Sequence, residues 1–427
     1  MAYYAHGYGI KSNQGSIILI LLILVSIACN SQPIPELKNR GLSPAELKLF
    51  SDETYASVQT KNDFIKWVAI GQALSVARAY EESNAWFERA YLLKLDQRTQ
   101  DIPKNEESFD DYHEVSMLLY FKTLNYLQLG DVENAMVECR RLNEWMQPQN
   151  RTDLARKLLA EDPLIQTLMG FVYEVDHDYS DSYISYHEAE QDFEAEYKNL
   201  LSKHVPQQII NSSKQMNLLS AASEYNIAAS ENFPYGQLLI VWHNGQGPKK
   251  YLKGPDFKIR CDEGNLVRSS SNVNPYIDCL GNKLLPFYSL YSPNYSSCEV
   301  LQDSTHIHCE LLEDVSWYSI HTLQERLNSN GIHVWHHGIN WSTLPANIFY
   351  AVVPLHAGSN HFEFKAFGAG STSKTKSFTV EGDGRNQAYV ISTLDSNPLV
   401  IPGRGIGRSE ISWSIPQGSP LLEIQNR

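Results

Sequence analysis

The chain has 427 residues, with 35 Lys and Arg against 49 Asp and Glu, which gives a formal net charge of −14 at pH 7. A charge of this sign argues against nucleic acid as a partner, because a phosphate backbone attracts basic surfaces. A hydrophobic fraction of 42% and 24 tyrosines are sufficient for packed cores, and the length predicts two or three domains.

The first element along the chain is an uncharged run of thirteen residues, from Ser16 to Ala28, preceded by a single charge at Lys11. A membrane-spanning helix needs roughly 20 apolar residues. The run is therefore too short to span, and it fits the apolar region of a secretory signal. An uncleaved signal anchor and a structural core segment are the two alternatives.

The run ends in Val-Ser-Ile-Ala-Cys, which resembles the lipobox of bacterial lipoproteins. The resemblance implies a signal peptide over residues 1–28 and acyl chains, such as palmitate, on Cys29. It also implies anchoring in the membrane through this lipid, since two or three acyl chains hold firmly where one does not. Asn30 after the cysteine implies an outer-membrane lipoprotein of the cell envelope. Residues 29–43 are predicted to be a tether.

Residues 44–232 have helical periodicity, and one pattern of small and large residues recurs three times in them. The small residue of the pattern is Gly71, Thr123 or Gly170, and each is followed on the next helix by a large or sulfur-containing side chain. A small residue lets two helices cross closely. The pattern resembles the tetratricopeptide repeat (TPR), although the spacing is wider than the usual 34 residues. We predict three irregular helical hairpins and a further helix over roughly 205–230.

Repeats of this kind form a concave wall from their first helices, and the resemblance implies a protein-binding groove there. The residues at the inward-facing offsets are Gln72, Tyr120, Leu124 and Phe171. Internal packing is the alternative role for such an apolar face. Cys139 occupies a core-facing repeat position, so we predict a buried free thiol.

Four cysteines lie within a short stretch of the second half of the chain: Cys261, Cys279, Cys298 and Cys309. In an exported protein this clustering predicts two disulfides, and four cysteines allow three connectivities. The stretch CEVLQDSTHIHC alternates like a hairpin around residues 302–305, which would bring Cys298 opposite Cys309. We therefore favour the pairs 298–309 and 261–279.

The period changes near residue 232, where a buried run from Leu238 to Trp242 is followed by an Asn244–Gly245 turn. Residues 233–340 are predicted to be a loop-rich, cysteine-containing β-region. Residues 341–400 contain four strands with glycine-rich turns and resemble the small β-sandwich called PEGA. Residues 401–427 are predicted to be an irregular tail. The predicted class is α+β, multidomain, with a TPR-like helical array followed by a disulfide-containing β-sandwich-type region.

The order of these parts resembles a family of uncharacterised bacterial lipoproteins with TPR-like repeats and a C-terminal PEGA-like module. No nucleophile, metal or phosphate motif has the required spacing, so we predict no enzyme activity and no cofactor. The leading hypothesis is a scaffold for other envelope proteins. A carbohydrate or peptidoglycan binder that uses Trp335 and Trp341 is the second hypothesis. A metal-dependent hydrolase that uses a cysteine and four histidines is the third, with candidate ligands His306, His308, Cys309, His336 and His337.

Overall fold

The computed structural model describes most of the chain between residues 35 and 398. The described ranges are 35–59, 62–99, 109–146, 162–191, 204–218, 233–253, 259–262, 265–268, 285–289, 291–314, 340–368 and 372–398. The signal segment, Cys29 and the predicted tail lie outside these residues. The described chain is of mixed α+β class, as predicted, with the helices before the strands. No helix in these ranges is both long and apolar enough to cross a membrane.

The helical half follows a short 3₁₀ turn at Pro35–Leu37. Its helices are α1 (Pro44–Gln59), α2 (Asp63–Val76), α3 (Tyr80–Thr99), α4 (Phe109–Leu129), α5 (Val132–Met146), α6 (Pro163–Val175), α7 (Tyr179–Gln191) and α8 (His204–Gln215). Helices α2–α3, α4–α5 and α6–α7 form three hairpins. Leu37, in the predicted tether, is buried against this half, so the tether does not extend to residue 43.

The three hairpin turns are built in the same way. Each contains one residue in the left-handed region: Arg78 (φ +63°), Gly130 (φ +72°) or His177 (φ +62°). The N–H of the next residue then bonds a carbonyl five residues back, for example Ala79 to Leu74 at 2.9 Å and Asp178 to Tyr173 at 2.8 Å. This arrangement satisfies the last carbonyls of the first helix and ends it.

The small residues of the repeated pattern allow the helices of a hairpin to approach closely. A methyl group added at Gly71 would lie 2.8 Å from the ring of Phe87, and one at Gly170 would lie 2.8 Å from the ring of Tyr186. In the second hairpin Cys139 takes the place that the rings of Phe87 and Tyr186 have in the other two. It is a fully buried free thiol, as predicted. Burial raises the pKa of this thiol well above its ordinary value.

The second half consists of fourteen described strands. They are β1 (Gln237–Gln246), β2 (Lys249–Lys253), β3 (Ile259–Asp262), β4 (Asn265–Arg268), β5 (Leu285–Ser289), β6 (Tyr291–Pro293), β7 (Tyr295–Gln302), β8 (Thr305–His308), β9 (Glu310–Asp314), β10 (Pro345–Pro354), β11 (Gly358–Gly368), β12 (Ser373–Gly382), β13 (Gln387–Thr393) and β14 (Ser396–Pro398). The residues between 345 and 393 form four strands, the number predicted for that stretch.

Two four-stranded sheets dominate this half, with the strand orders β13-β1-β10-β9 and β12-β11-β7-β8. Strand β1 is central, and it pairs antiparallel with β10 and parallel with β13. Each sheet therefore mixes strands from the two β-regions that the sequence predicts as separate. Residues 233–340 and 341–400 are joined by main-chain hydrogen bonds into one unit.

The two faces of β1 are both buried. Leu238, Ile240 and Trp242 pack against the second sheet, where the Trp242 and Phe364 rings are 5.4 Å apart. Leu239 and Val241 point to the opposite face and join the core of the helical half. The first sheet is therefore a middle layer between the helices and the second sheet.

The chain does not turn at Asn244–Gly245, contrary to the sequence prediction. Strand β1 continues through both residues, and Asn244 pairs with Asn347 of β10. Gly245 has a φ of +66°, and a methyl group there would lie 2.5 Å from Pro293. Glycine is needed at this position for its backbone conformation and for a close contact rather than for a turn.

Candidate functional site

The face of the helical half that was predicted to form a groove is covered by the chain's own first sheet. All four residues predicted to line a protein-binding groove, Gln72, Tyr120, Leu124 and Phe171, are at most 2% exposed. Gln72 and Tyr120 bond residues of the β half directly. In this conformation the face is therefore not open to another protein.

The segment that precedes β10 begins at Trp341 and packs against the helices of the first half. The indole ring is 6.0 Å from the ring of Phe87 and 5.6 Å from that of Phe121, measured between centroids, and the side chain is only 1% exposed. Its Nε1–H donates to Oε1 of Gln72 at 2.7 Å. An aromatic body with a satisfied polar edge is a typical anchor in a peptide-binding groove.

The helices also bind the main chain of this segment. The Trp341 N–H donates to Glu114 Oε1 at 2.6 Å, and the Ser342 N–H donates to Glu53 Oε1 at 2.8 Å. Gln72 Nε2 donates to the Thr343 carbonyl at 2.7 Å. Three helices thus bind three consecutive residues through their backbone, in the manner of a helical array that holds an extended peptide.

A second group of polar contacts lies further along the same face. Glu174 on α6 accepts hydrogen bonds from Gln237 Nε2 at 2.9 Å and from the Tyr186 hydroxyl at 3.2 Å. Tyr120 Oη lies 3.0 Å from Nε2 of His243. Each contact satisfies a polar group that burial would otherwise destabilise.

Burial shifts the pKa values of the ionisable groups in this interface toward their neutral forms. Desolvation raises the pKa of Glu53 to about 6 and that of Glu174 to about 7, although their hydrogen bonds act in the opposite direction. Desolvation lowers the pKa of His243 to about 3, so its imidazole is neutral at pH 7. Within the described part of the chain, the buried carboxylates of Glu53 and Glu174 have no ion pair.

Sequence reasoning missed Glu53, Glu114, Glu174 and His243 as interface residues, and it assigned Trp341 to sugar binding. One signal was available for the carboxylates. Glu174 closes the helix PLIQTLMGFVYEV, whose other residues are almost all apolar and buried. An acid on such a helix indicates a buried hydrogen-bond partner elsewhere in the chain.

The cysteines whose side chains are described, Cys139, Cys298 and Cys309, are free thiols in this structure. Cys298 and Cys309 are both buried free thiols, and the register of the β7–β8 hairpin places them opposite each other, one position beyond the Glu299–His308 pair. A hydrogen bond from Cys309 and burial raise the pKa of Cys298. The disulfide between them stays a prediction. The side chain of Cys261 and all of Cys279 lie outside what is described, as does Cys29, the predicted site of lipidation.

Oxidation of the thiol pair is expected to join Cys298 to Cys309 and to stabilise the fold by about 2–3 kcal/mol, because the closed loop is short. Non-reducing peptide mapping and denaturant unfolding with and without a reductant would measure this. Cys139→Ser is the matched control, since that thiol is buried alone in the helices and should leave the reductant effect unchanged. An unlinked pair after exposure to a disulfide oxidant would contradict the prediction.

The structure describes only some of the residues of the other two hypotheses. Trp341 is buried between helices and cannot stack on a sugar, and Trp335 lies outside the described residues. His306 is exposed and contacts Glu299, whereas His336 and His337 are also outside the described ranges. Within those ranges, no cluster of three His, Cys, Asp or Glu side chains could hold a metal ion.

Comparison of the chain with protein-family models, with curated proteins and with solved structures finds no match in any of the three.

Proposed function

We propose that this chain is a non-enzymatic lipoprotein of the bacterial cell envelope that binds other envelope proteins through TPR-like helical repeats. The lipobox-like sequence ending at Cys29 supports the membrane anchor. The three equivalent hairpin turns, together with the close contacts at Gly71 and Gly170, support the repeat interpretation. The β half then acts as a β-sandwich that fixes the curvature of the array.

The observation that carries the proposal is the distribution of apolar side chains on the helices. The inner face is closed by the first sheet, but outer faces keep large apolar residues in pairs one helical turn apart. These are Tyr55 and Val58 on α1, and Leu92 and Leu95 on α3, with exposed fractions between 37% and 52%. Paired exposed apolar residues on a helix are typical of protein contact surfaces. Partner proteins would therefore contact the outer helices.

The proposal predicts that a photo-crosslinking amino acid at Leu92 captures a defined envelope protein in living cells. The same probe at Thr375, which is exposed on β12, should capture nothing above background. Mass spectrometry of the captured species and of the protein's own N-terminus would measure both the partner and the lipid.

Cys29→Ala serves as the control for anchoring. It should remove the acyl chains and release the protein from the membrane fraction, and capture from Leu92 should fall with it because the partner is in the envelope. If the wild-type protein is acylated but the probes at Leu92 and Thr375 both capture only background, the scaffold proposal is contradicted and the proposed lipid anchor is supported. An N-terminus without acyl chains would contradict the anchor.

A further inference from the structure

A small cavity lies where the first helical hairpin meets the β half. Its volume is about 100 Å³, which is room for about three water molecules. The walls come from the residues before and at the start of α1, from the α2–α3 turn, from α4, and from strands β1, β12 and β13. The polar lining residues are Glu46, Ser75, Arg78, Tyr80, His243, Lys376 and Ser392. Neither half of the chain forms this cavity alone.

The lining carries an excess of positive charge in a protein of net charge −14. Arg78 and Lys376 are the two cations, and Glu46 is the one carboxylate among the lining residues. Glu46 is already engaged, because its Oε2 accepts the Ser43 N–H at 2.8 Å. The lining residues therefore carry a net charge of one positive unit.

Neither cation has an ion pair within the described part of the chain. Arg78 donates to the Tyr389 hydroxyl and lies 5.0 Å from the centre of that ring, and Lys376 Nζ lies 5.6 Å from the same centre. By contrast Lys374, two residues away on the same strand, lies 3.7 Å from Asp395. Burial lowers the pKa of Lys376 to about 8, the charges of Arg78 and Lys374 add to this effect, and the charge of Glu46 acts in the opposite direction without cancelling it. An anion beside Lys376 would reverse it.

The remaining lining residues are uncharged, and they are partly polar and partly apolar. His243 is fully buried there, and only its Nε2 has a hydrogen-bond partner, Tyr120, within the described residues. Leu42, Val76, Val390 and the ring of Phe121 supply the apolar walls. The lining thus combines two cations, a neutral hydrogen-bonding ring and aliphatic surface. The space that it encloses can hold a ligand of only a few non-hydrogen atoms.

We propose that this cavity binds a small aliphatic monocarboxylate, with the carboxylate between Arg78 and Lys376 and the alkyl group against Val76 and Val390. One negative charge balances the excess of the lining, whereas a phosphate dianion would exceed it. The volume restricts the ligand to a short chain. This binding function goes beyond the scaffold proposal and does not depend on a protein partner.

The test uses the full-length chain, purified from membranes in detergent, with sodium propionate as the probe. Ligand-observed saturation-transfer NMR at pH 7 and constant ionic strength should give a saturable signal with a dissociation constant in the millimolar range or below. Lys376→Gln should weaken binding at least tenfold. Arg78→Gly should do the same, and it is tolerated by the backbone because φ is +63° there.

Lys374→Gln is the matched control, because it removes the same charge from the same strand but does not line the cavity. It should change the dissociation constant less than threefold. Thermal unfolding of each variant would verify that the fold is kept. The proposal is overturned if propionate gives no saturable signal, if Lys374→Gln and Lys376→Gln weaken binding equally, or if equimolar phosphate displaces propionate.

Discussion

Replacing Trp341 with alanine is expected to lower the free energy of unfolding by about 3–5 kcal/mol, the usual cost of removing a buried large aromatic side chain. The indole ring packs against both Phe87 and Phe121, which also stack on each other. Its removal leaves a cavity between the helices and the sheet, and it also removes the donor to Gln72. Urea unfolding followed by circular dichroism would measure the loss.

Trp341→Phe separates the two contributions and guards against a variant that does not fold. It keeps most of the ring but loses the Nε1–H, while Gln72 Oε1 still accepts the Thr343 hydroxyl at 2.7 Å. We expect a loss of about 1–2 kcal/mol, the size of one hydrogen bond plus a small packing defect. If both variants unfold like the wild type, then the segment at Trp341 does not join the two halves.

Glu174→Gln is expected to stabilise the protein by about 3 kcal/mol at pH 8 and by little at pH 4. The glutamine resembles the protonated carboxyl group, and it can still accept from Gln237 and bond the Tyr186 hydroxyl. The stabilisation arises because the wild-type carboxylate must ionise in a buried site. Its pKa is raised by burial to about 7, and each pKa unit corresponds to about 1.4 kcal/mol.

The direction with pH follows from proton binding. Between the ordinary glutamate pKa of 4.5 and about 7, the folded state holds a proton on Glu174 that the unfolded state has lost. The contribution of this group to stability is therefore fully present below pH 4.5 and is lost as the pH rises through 7. Glu53 acts in the same direction, with a pKa of about 6.

Urea unfolding of wild type and variant across pH 4–8 would measure the difference. Glu188→Gln, at an exposed position on the neighbouring α7, removes the same charge and should change stability by less than about 0.5 kcal/mol at either pH. A Glu174→Gln effect that is the same at pH 4 and pH 8 would contradict the assignment of a buried, ionising carboxyl group.

The helical hairpins could be predicted from the sequence because their determinants are local. Gly71 and Phe87 lie sixteen residues apart, and the steric need for a small residue opposite a large ring is visible in the pattern itself. The β7–β8 hairpin is equally local, since Asp303 and Ser304 both adopt the left-handed conformation that a tight hairpin turn requires.

The closed inner face could not be predicted in this way, because its contacts join residues far apart in the sequence. Gln72 bonds Thr343, which is 271 residues away, and no local period encodes that pairing. Offsets within a repeat identify which residues face inward, but not what covers them. The buried run in β1 was the available signal. A strand with apolar residues on both faces must be covered on both sides, and in the described part of the chain the helices cover the second side.

The central position of β1 has a consequence for how this protein is made. Its parallel neighbour β13 ends at Thr393, and the helical face that the sheet covers includes Tyr120. At a synthesis rate of about 5–20 residues per second, the roughly 260 residues from the end of that helix at Leu129 to Thr393 take about 13–50 s to make. During this interval an apolar helical surface is already made but has nothing to cover it. A nascent chain of this kind requires protection from aggregation until its last strands arrive.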